Sequence, residues 1–283
     1  MLHIVDSLAG GCPYFFLALV AVDHLTLFGS RDSMLDISII IPIKDENANI
    51  APLAEEVNRV MGSQRWNWEC IWVDDGSTDG SVNEMRAVNA SHPRHRFISF
   101  EKNAGQSAAL WAGFKESKGR IIATLDGDGQ NDPIDLPSLI KILLESPEVD
   151  MVNGYRHKRE DNFIRKMSSK VANGFRNLTT GKSVRDVGCS TRAFRRECME
   201  NLPLFKGMHR FLPTLVAMNG FRLTEVPVKH RPRLRGKTKY NINKRLWVGL
   251  YDVFGVMWVR KRGFHYKIGL SSENHQNDKE MRT

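Results

Sequence analysis

Short apolar runs alternate along the chain with stretches of helix length. Five runs predict strands, and most are apolar along their whole length, as strands inside a parallel sheet are: residues 37–43, 70–75, 96–100, 121–126 and 150–155. Helices are predicted between them, at 49–61 and at 81–90, the first with its apolar residues on one face. The repeated order of strand and helix predicts an α/β fold with an open, mainly parallel sheet flanked by helices.

Acidic residues follow three of the predicted strands. Ligands of such a sheet bind at the carboxyl ends of its strands. The segments IPIKDEN, VDDGSTDG and TLDGDGQNDP leave the first, second and fourth strands, and they carry these carboxylates: Asp45, Glu46, Asp74, Asp75, Asp126, Asp128 and Asp132. Because like charges repel and no lysine stands close to the fourth-strand turn in the sequence, such a pocket requires a cation or hydrogen-bond donors.

A divalent metal explains the Asp-x-Asp turn. Mg²⁺ takes one or two protein carboxylates and completes its shell with water and substrate phosphates, so Asp126 and Asp128 suit a metal that carries a diphosphate. Asp75 and Glu46 suit hydrogen bonds from the NH and OH groups of a nucleoside. EF-hand, P-loop and dinucleotide-binding fingerprints are excluded, because residues that each of them requires are absent.

The composition of the chain limits the classes of binding partner but does not select one of them. The 283 residues, 41% of them hydrophobic, suffice for a sizeable core, and the net charge of +9 favours nucleic acid, a phospholipid surface or phosphorylated substrates. Four cysteines without zinc-site spacing predict free or buried thiols in a reducing compartment: Cys12, Cys70, Cys189 and Cys198.

Four segments in this order and spacing resemble the family 2 glycosyltransferases of the GT-A fold: IPIKDEN, VDDGSTDG, NAGQSAALWAGF and TLDGDGQNDP. The resemblance covers about residues 35–262. It is strongest to the subgroup that transfers a sugar from a nucleoside diphosphate to a polyisoprenyl phosphate, as dolichyl-phosphate mannose synthases and bacterial undecaprenyl- or dodecaprenyl-phosphate glycosyltransferases do. The fold then implied is a Rossmann-like nucleotide-sugar-binding domain.

The resemblance implies roles for the donor side of the site. The nucleoside pocket would be lined by Pro42, Lys44, Glu46, Val73 and Asp75. Asp126, Asp128 and Gln130 would hold the diphosphate and Mg²⁺ or Mn²⁺. Two residues depart from the family pattern, since Asp45 stands where Asn is common and Lys44 where an aromatic residue is often found.

The second half of the chain supplies cationic residues. By the same resemblance, Arg156, Arg165 and Ser169 would hold the acceptor phosphate, which suits the paired donors of arginine. Asp128, Arg156 and Arg165 are the expected catalytic residues, and no general base is assigned because a phosphate is already anionic. Asp186 would orient an arginine or the sugar, or cap local structure.

A basic run at 229–245 is either a solvated face or, as the resemblance implies, a loop that closes over both phosphates. In the second case its donor-binding residues would be Arg233, Arg235 and Lys239. Residues 246–262 follow, apolar and aromatic with a basic end, and they suit either a membrane-interface helix or a buried core helix.

Four regions are therefore expected: an N-terminal extension outside the core (1–33), the glycosyltransferase domain (34–245), an amphipathic membrane-interface segment (246–262) and a polar tail (263–283). The apolar run at 13–22 is too short to span a bilayer, and the chain becomes polar by Ser271. A peripheral protein at the cytoplasmic face of the membrane is therefore expected.

The predicted activity is inverting, metal-dependent sugar transfer from a nucleotide sugar to a polyisoprenyl phosphate at the membrane surface, with no nucleic-acid partner. The sequence leaves two alternative functions open. One is a family 2 transferase that acts on a soluble or cell-surface saccharide. The other is a basic, non-enzymatic module that binds nucleic acid or membrane, which would leave the acidic strand exits unexplained.

Overall fold

Seven strands form one mixed sheet in the order β3-β2-β1-β4-β6-β5-β7. The computed structural model describes residues 35–156, 185–200, 202–232 and 242–262, with the backbone alone for 242–250. The strands are β1 (Ile37–Ile43), β2 (Trp68–Asp74), β3 (His95–Ser99), β4 (Ile121–Thr124), β5 (Met151–Arg156), β6 (Arg192–Arg195) and β7 (Leu223–Val228). The expected N-terminal extension and polar tail lie outside the described residues.

Six helices accompany the sheet in the described part of the chain. They are α1 (Asn47–Gly62), α2 (Ser81–Ser91), α3 (Gln106–Glu116), α4 (Leu136–Glu145), α5 (Leu212–Met218) and α6 (Ile242–Arg262). The helices and the five strands predicted from the hydrophobic pattern are confirmed, with ends that shift by two residues at most. The boundary expected at 246 falls inside α6, which begins at Ile242.

The first four strands are parallel, as predicted, and β6 is the exception in the sheet. β1 pairs in parallel with both β2 and β4, so the exits of these strands meet at one edge. β6 is inserted antiparallel between β4 and β5. Its four residues, RAFR, are too few and too polar to show a strand pattern, which explains why the sequence did not predict it.

Alternate residues of the central strands face two separate cores. Ile39 and Ile41 pack against α1, α2 and α4 on one face, whereas Ile40 packs on the other face with α3, α5 and α6. The three cysteines in the described residues are buried and free, as expected. None of the described helices has the length and apolarity needed to cross a membrane.

A buried histidine joins β2 to β3 and α1. Trp72 Nε1 donates a hydrogen bond to Nδ1 of His95 at 2.9 Å, and Nε2 of His95 lies 3.1 Å from Oδ1 of Asn58. Because an indole only donates, Nδ1 must be unprotonated and the imidazole neutral. Burial, and secondarily the nearby His92, lowers the pKa of His95 from 6.5 to about 4.

The lowered pKa of His95 predicts that the folded protein loses stability in mild acid. The unfolded chain takes up the proton at pH 6.5 but the folded chain only near pH 4, so stability is full above the first value and falls between the two. The loss amounts to about 3 kcal/mol. We expect urea unfolding at pH 7 and pH 4.5 to show a smaller pH effect in His95→Gln than in wild type and in the control His92→Gln. Equal pH effects in all three proteins would contradict the assignment.

Candidate active site

An open cleft of about 1260 Å³ lies at the carboxyl ends of the parallel strands, and it is large enough for a nucleotide-sized ligand. Eight of the residues predicted for the site line it: Pro42, Lys44, Glu46, Asp75, Asp126, Asp128, Gln130 and Arg156. The structure therefore brings together the three acidic strand exits and one of the predicted arginines.

Asp126 follows the end of β4 and is held from two sides. Gln106 Nε2, at the start of α3, donates to its Oδ1 at 2.9 Å, and Ser190 Oγ donates to its Oδ2 at 2.6 Å. The pKa of Asp126 is raised, chiefly by desolvation of its carboxylate and further by the charge of Asp128, while the hydrogen bond from Ser190 and two nearby arginines oppose the rise. The turn therefore concentrates negative charge that a bound cation would stabilise.

Asp132, the third carboxylate of this turn, has a structural role. It accepts a hydrogen bond from the N–H of Ile134 at 3.1 Å and so caps a short 3₁₀ helix. Arg231 reaches it with Nη2 at 2.7 Å, and Nη1 of the same side chain contacts Glu56 at 2.8 Å. The cation that is absent from the neighbouring sequence is thus supplied from a distant part of the chain.

Asp75, at the end of β2, fixes the loop that leads into α3. Its Oδ1 accepts from the N–H groups of Ala104 and Gly105 at 2.7 and 2.9 Å, and its Oδ2 accepts from Asn103 Nδ2 at 2.7 Å. The neighbouring Gly76 has φ +67°, and a Cβ there would come within 2.8 Å of the same loop. The exit of β2 therefore shapes the wall of the cleft through the backbone of residues 103–105.

The exit of β1 is fixed to the exit of β2. Asp45 has φ +49°, in the left-handed region that Asn and Asp tolerate better than most residues, and its Oδ1 accepts from the N–H of Thr78 at 2.7 Å. Lys44 Nζ donates to the carbonyl of Gly76. Glu46 Oε2 accepts from Asn49 Nδ2 at 2.6 Å. Asp45, which stands where Asn is common in the family pattern, is thus also suited to this left-handed backbone conformation.

Arg156 ends β5 and is oriented by Asp186. Its Nε and Nη2 donate to the two carboxylate oxygens at 2.6 and 2.8 Å. The pKa of Arg156 is raised by this pair although burial opposes the rise. Of the roles considered for Asp186, the contacts support the orientation of an arginine.

Arg192 is a buried cation beneath the cleft that the sequence did not indicate. Its guanidinium donates to Asn153 Oδ1 at 3.0 Å, to the carbonyl of His209 at 2.9 Å and to the carbonyl of Val187 at 2.7 Å. Burial lowers its pKa, while Asp126 and Asp186 are among the groups that oppose the fall. Arg192 thus ties three segments together under the acidic turn.

The remaining predicted residues fall into two groups. Val73 is fully buried in the core shared with Ile40 and α3, so its side chain does not line the cleft, contrary to the prediction. The others lie outside the described residues: Arg165, Ser169, Arg233, Arg235 and Lys239.

Several cleft residues carry no pattern in the sequence that predicts a site, including Ser190, Lys206, His209, Arg210 and Asp252. The segment GMHRF at 207–211 has no spacing that indicates a site, and Asp252 stands alone within an apolar stretch. An isolated carboxylate in an apolar stretch is a feature from which a site residue could have been predicted. Gln106 belongs to the segment NAGQSAALWAGF, in which no residue was given a role.

The turn suits an open metal site rather than a closed cage. Within the described ranges, no three His, Cys, Asp or Glu side chains are grouped to hold a metal. Mg²⁺ and Mn²⁺ accept oxygen ligands, and Mg²⁺ needs only one or two carboxylates beside substrate phosphates, so the desolvated Asp126 and the adjacent Asp128 fit it. The Gln130 amide, also in the cleft, donates through Nε2 to the Arg231 carbonyl at 3.4 Å.

Residues 38–202 match the family described as Glycosyl transferase family 2. A dodecaprenyl-phosphate galacturonate synthase of Rhizobium johnstonii is 39% identical over 239 residues, which cover 82% of this chain and 70% of that protein. An undecaprenyl-phosphate 4-deoxy-4-formamido-L-arabinose transferase of Edwardsiella ictaluri is 33% identical over 77% of this chain and 66% of its own length. The chain thus spans about two thirds of the length of these relatives.

Solved structures agree on the fold. Glucosyl-3-phosphoglycerate synthase from Mycobacterium tuberculosis, in complex with Mn²⁺, uridine diphosphate and glucosyl-3-phosphoglycerate, superposes with a TM-score of 0.61 at 19% identity, over 83% of each chain. The same enzyme with Mg²⁺ and uridine diphosphate gives 0.61 at 18% identity, again over 83% of each chain.

Proposed function

This chain belongs to glycosyltransferase family 2, and from that premise we propose that it transfers a sugar, with inversion, from a nucleoside diphosphate to a polyisoprenyl phosphate. The names of the relatives support the acceptor, since both refer to a polyprenyl phosphate. The complexes of the structural neighbour with uridine diphosphate and Mn²⁺ or Mg²⁺ support a metal-dependent donor site.

One observation carries the proposal, namely that a carboxylate turn and an oriented arginine line the same cleft. Asp126 and Asp128 lie at the end of β4, and Arg156 lies at the end of β5 with Asp186 holding its guanidinium. The first pair suits a metal-bound diphosphate and the arginine suits a second phosphate. A transferase whose donor and acceptor both carry phosphate requires both kinds of group.

The proposed reaction is a single displacement at the anomeric carbon. An oxygen of the lipid phosphate forms the new bond to that carbon, and the bond from the carbon to the donor's diphosphate oxygen breaks. A metal bound at Asp126 and Asp128, with Gln130, would stabilise the charge of the leaving diphosphate. Arg156 orients the attacking phosphate, and because that phosphate is already anionic, no side chain has to remove a proton.

Residues outside the described ranges complete the proposal on the strength of the sequence resemblance. Arg165 and Ser169 are assigned to the acceptor phosphate, and Arg233, Arg235 and Lys239 to a loop that closes over both phosphates. Residues 230 and 231, which precede that loop, contact the acidic turn after β4. The N–H of Arg231 donates to the carbonyl of Gln130 at 2.8 Å, and His230 forms a β-bridge with Asn131. The basic run therefore begins beside the turn that contains Asp126 and Asp128.

The two faces of α6 support attachment to a membrane surface. Val253 and Val256 are buried in the core, so one side of the helix packs as the alternative of a buried core helix predicts. On the other side, Tyr251, Phe254 and Trp258 are 80%, 59% and 65% exposed, and Arg260–Arg262 follow them. Exposed aromatic rings beside basic residues suit an anionic headgroup region, and we assign the cytoplasmic face because the nucleotide donor is there.

Sugar transfer tests the proposal. Purified protein, Mn²⁺ or Mg²⁺, a panel of nucleotide sugars and a short polyprenyl phosphate should yield a glycosyl lipid whose anomeric configuration, read by NMR, is opposite to that of the donor. Asp128→Asn should lower the rate roughly 100-fold or more, because charge on the leaving group is no longer screened. Arg165→Ala should also lower it.

The control for transfer is Asp36→Asn, which removes an ion pair with Arg120 outside the cleft and should leave the rate unchanged. Full activity of Asp128→Asn, or transfer to 3-phosphoglycerate or a free saccharide in place of the lipid, would overturn the proposed acceptor and mechanism. Salt-sensitive binding of nucleic acid without any sugar transfer would favour the non-enzymatic alternative.

Membrane attachment predicts that the exposed aromatic residues of α6 are needed for vesicle binding. Sedimentation with vesicles of anionic phospholipid should recover the wild type, and the triple variant Tyr251→Ser, Phe254→Ser, Trp258→Ser should remain in the supernatant. Leu144→Ser, which removes an exposed apolar residue from α4, serves as the control and should sediment normally. Unchanged sedimentation of the triple variant would show that this face does not contact the membrane.

A further inference from the structure

One wall of the cleft contains an arginine and a carboxylate that the proposed chemistry does not use. Arg210 ends the 3₁₀ helix Met208–Arg210, which follows the turn at 206–207, and Asp252 comes from α6. Both line the same cleft as Asp126 and Asp128. Nothing in the phosphate chemistry above requires an acidic group at this position.

The surrounding contacts hold the two groups in place. Ser107 Oγ accepts from the N–H of Gly207 at 3.0 Å and lies 2.8 Å from Nδ1 of His209. Gly207 has φ +103°, and a Cβ on it would come within 2.6 Å of Oδ2 of Asp252. The carboxylate therefore packs directly against the backbone of this turn, which the start of α3 in turn fixes.

The two side chains carry unused hydrogen-bonding capacity. Asp252 is 9% exposed, and its Oδ2 lies 3.5 Å from Nη1 of Arg210 without a hydrogen bond within the described part of the chain. The Nε–H of Arg210 is likewise buried and makes no hydrogen bond there. Desolvation raises the pKa of Asp252, and the charge of Arg210 opposes the rise. Folded proteins seldom leave such groups unsatisfied, so a ligand group is expected between them.

The segment that carries Arg210 is attached to two neighbours of the acidic turn after β4. Ser107 of α3 contacts Gly207 and His209, and the adjacent Gln106 donates to Asp126. The predicted nucleoside residues leave β1 and β2, and the metal turn leaves β4, the next strand of the sheet. β6 follows β4, and its Arg192 donates to the carbonyl of His209, next to Arg210. The pair is thus attached to α3 and β6, the two elements that also hold the acidic turn, and so it lies within the part of the cleft next to a diphosphate bound at that turn.

The chemistry of the pair selects a neutral hydroxyl group. A hydroxyl donates one hydrogen bond and accepts others, so it satisfies Oδ2 of Asp252 and Nε–H of Arg210 together. A phosphate or carboxylate would be repelled by Asp252, and an ammonium group would be repelled by Arg210. A sugar hydroxyl is the group that meets both partners favourably.

We propose that Arg210 and Asp252 bind a hydroxyl group of the transferred sugar and so form a specificity-determining contact of the donor site. The inference rests on the proposed function, since it requires a nucleotide sugar as the donor. It also gives α6 a second role, because the helix that exposes Phe254 and Trp258 supplies a sugar contact through Asp252.

Calorimetric binding in the presence of Mn²⁺ and without acceptor tests the inference. Each of a panel of nucleotide sugars, such as UDP-glucose, UDP-galacturonate and GDP-mannose, is compared with its own nucleoside diphosphate, and the donor with the largest gain in affinity is kept. Asp252→Asn should weaken the binding of that donor roughly 10- to 100-fold, the worth of a hydrogen bond to a charged group, and leave the nucleoside diphosphate unchanged.

Deoxy analogues of the donor identify the hydroxyl. One analogue, lacking the hydroxyl that the pair binds, should bind equally to wild type and Asp252→Asn, because the contact is already absent. A pair that merely attaches α6 to the domain would change the melting temperature without this selective effect. Asp36→Asn is the control for loss of an ion pair elsewhere.

Three results would overturn the inference: equal weakening of donor and nucleoside diphosphate, no weakening of either, or a wild type that binds no nucleotide sugar more tightly than its nucleoside diphosphate. If Asp252→Asn does not fold, Arg210→Gln decides by the same comparison. Sugar-selective binding without transfer to polyprenyl phosphate would contradict the proposed function and support this inference. Transfer to polyprenyl phosphate with donor binding unaffected in Asp252→Asn would support the proposed function and contradict this inference.

Discussion

The acidic turn after β4 is the constraint on which the rest of the site depends. Asp126 and Asp128 lie close together, and desolvation raises the pKa of Asp126, so the turn is stable only with donors and cations around it. The chain supplies the donors as Gln106 and Ser190, and it supplies positive charge from Arg156 and Arg192. Gln106 begins α3, Ser190 precedes β6, Arg156 ends β5 and Arg192 begins β6. This explains why the cleft forms where those elements meet.

The same requirement accounts for the arrangement of the second half of the chain. Arg231 pairs with Asp132 and Glu56, and it thereby attaches the start of the basic run to the acidic turn after β4 and to α1. Asp186 orients Arg156 instead of acting alone. Arg156 and Arg231 therefore each have an acidic partner that fixes the direction of the guanidinium, whereas Arg192 is fixed by an amide and two carbonyl oxygens.

Much of the fold and about half of the site were accessible from the sequence, for physical reasons that differ between residues. Parallel strands buried on both faces leave continuous apolar runs, and ligands of such sheets bind at the strand exits, so the local pattern placed Asp75, Asp126 and Asp128 at the cleft that they line. Ser190, Arg192 and Arg210 act through contacts that only the tertiary fold creates, and β6 is too short to leave a pattern. Val73 was misplaced because its position at a strand end does not reveal which face its side chain takes.

The proposed function requires a divalent cation bound at the turn after β4 together with the donor's diphosphate. The most direct measurement is an anomalous difference map from a crystal of the full chain grown with Mn²⁺ and UDP, collected at the manganese edge. The account predicts one manganese peak within about 2.2 Å of an oxygen of Asp128 and in contact with the diphosphate. A diphosphate bound without metal, or a manganese peak away from Asp126 and Asp128, would contradict it.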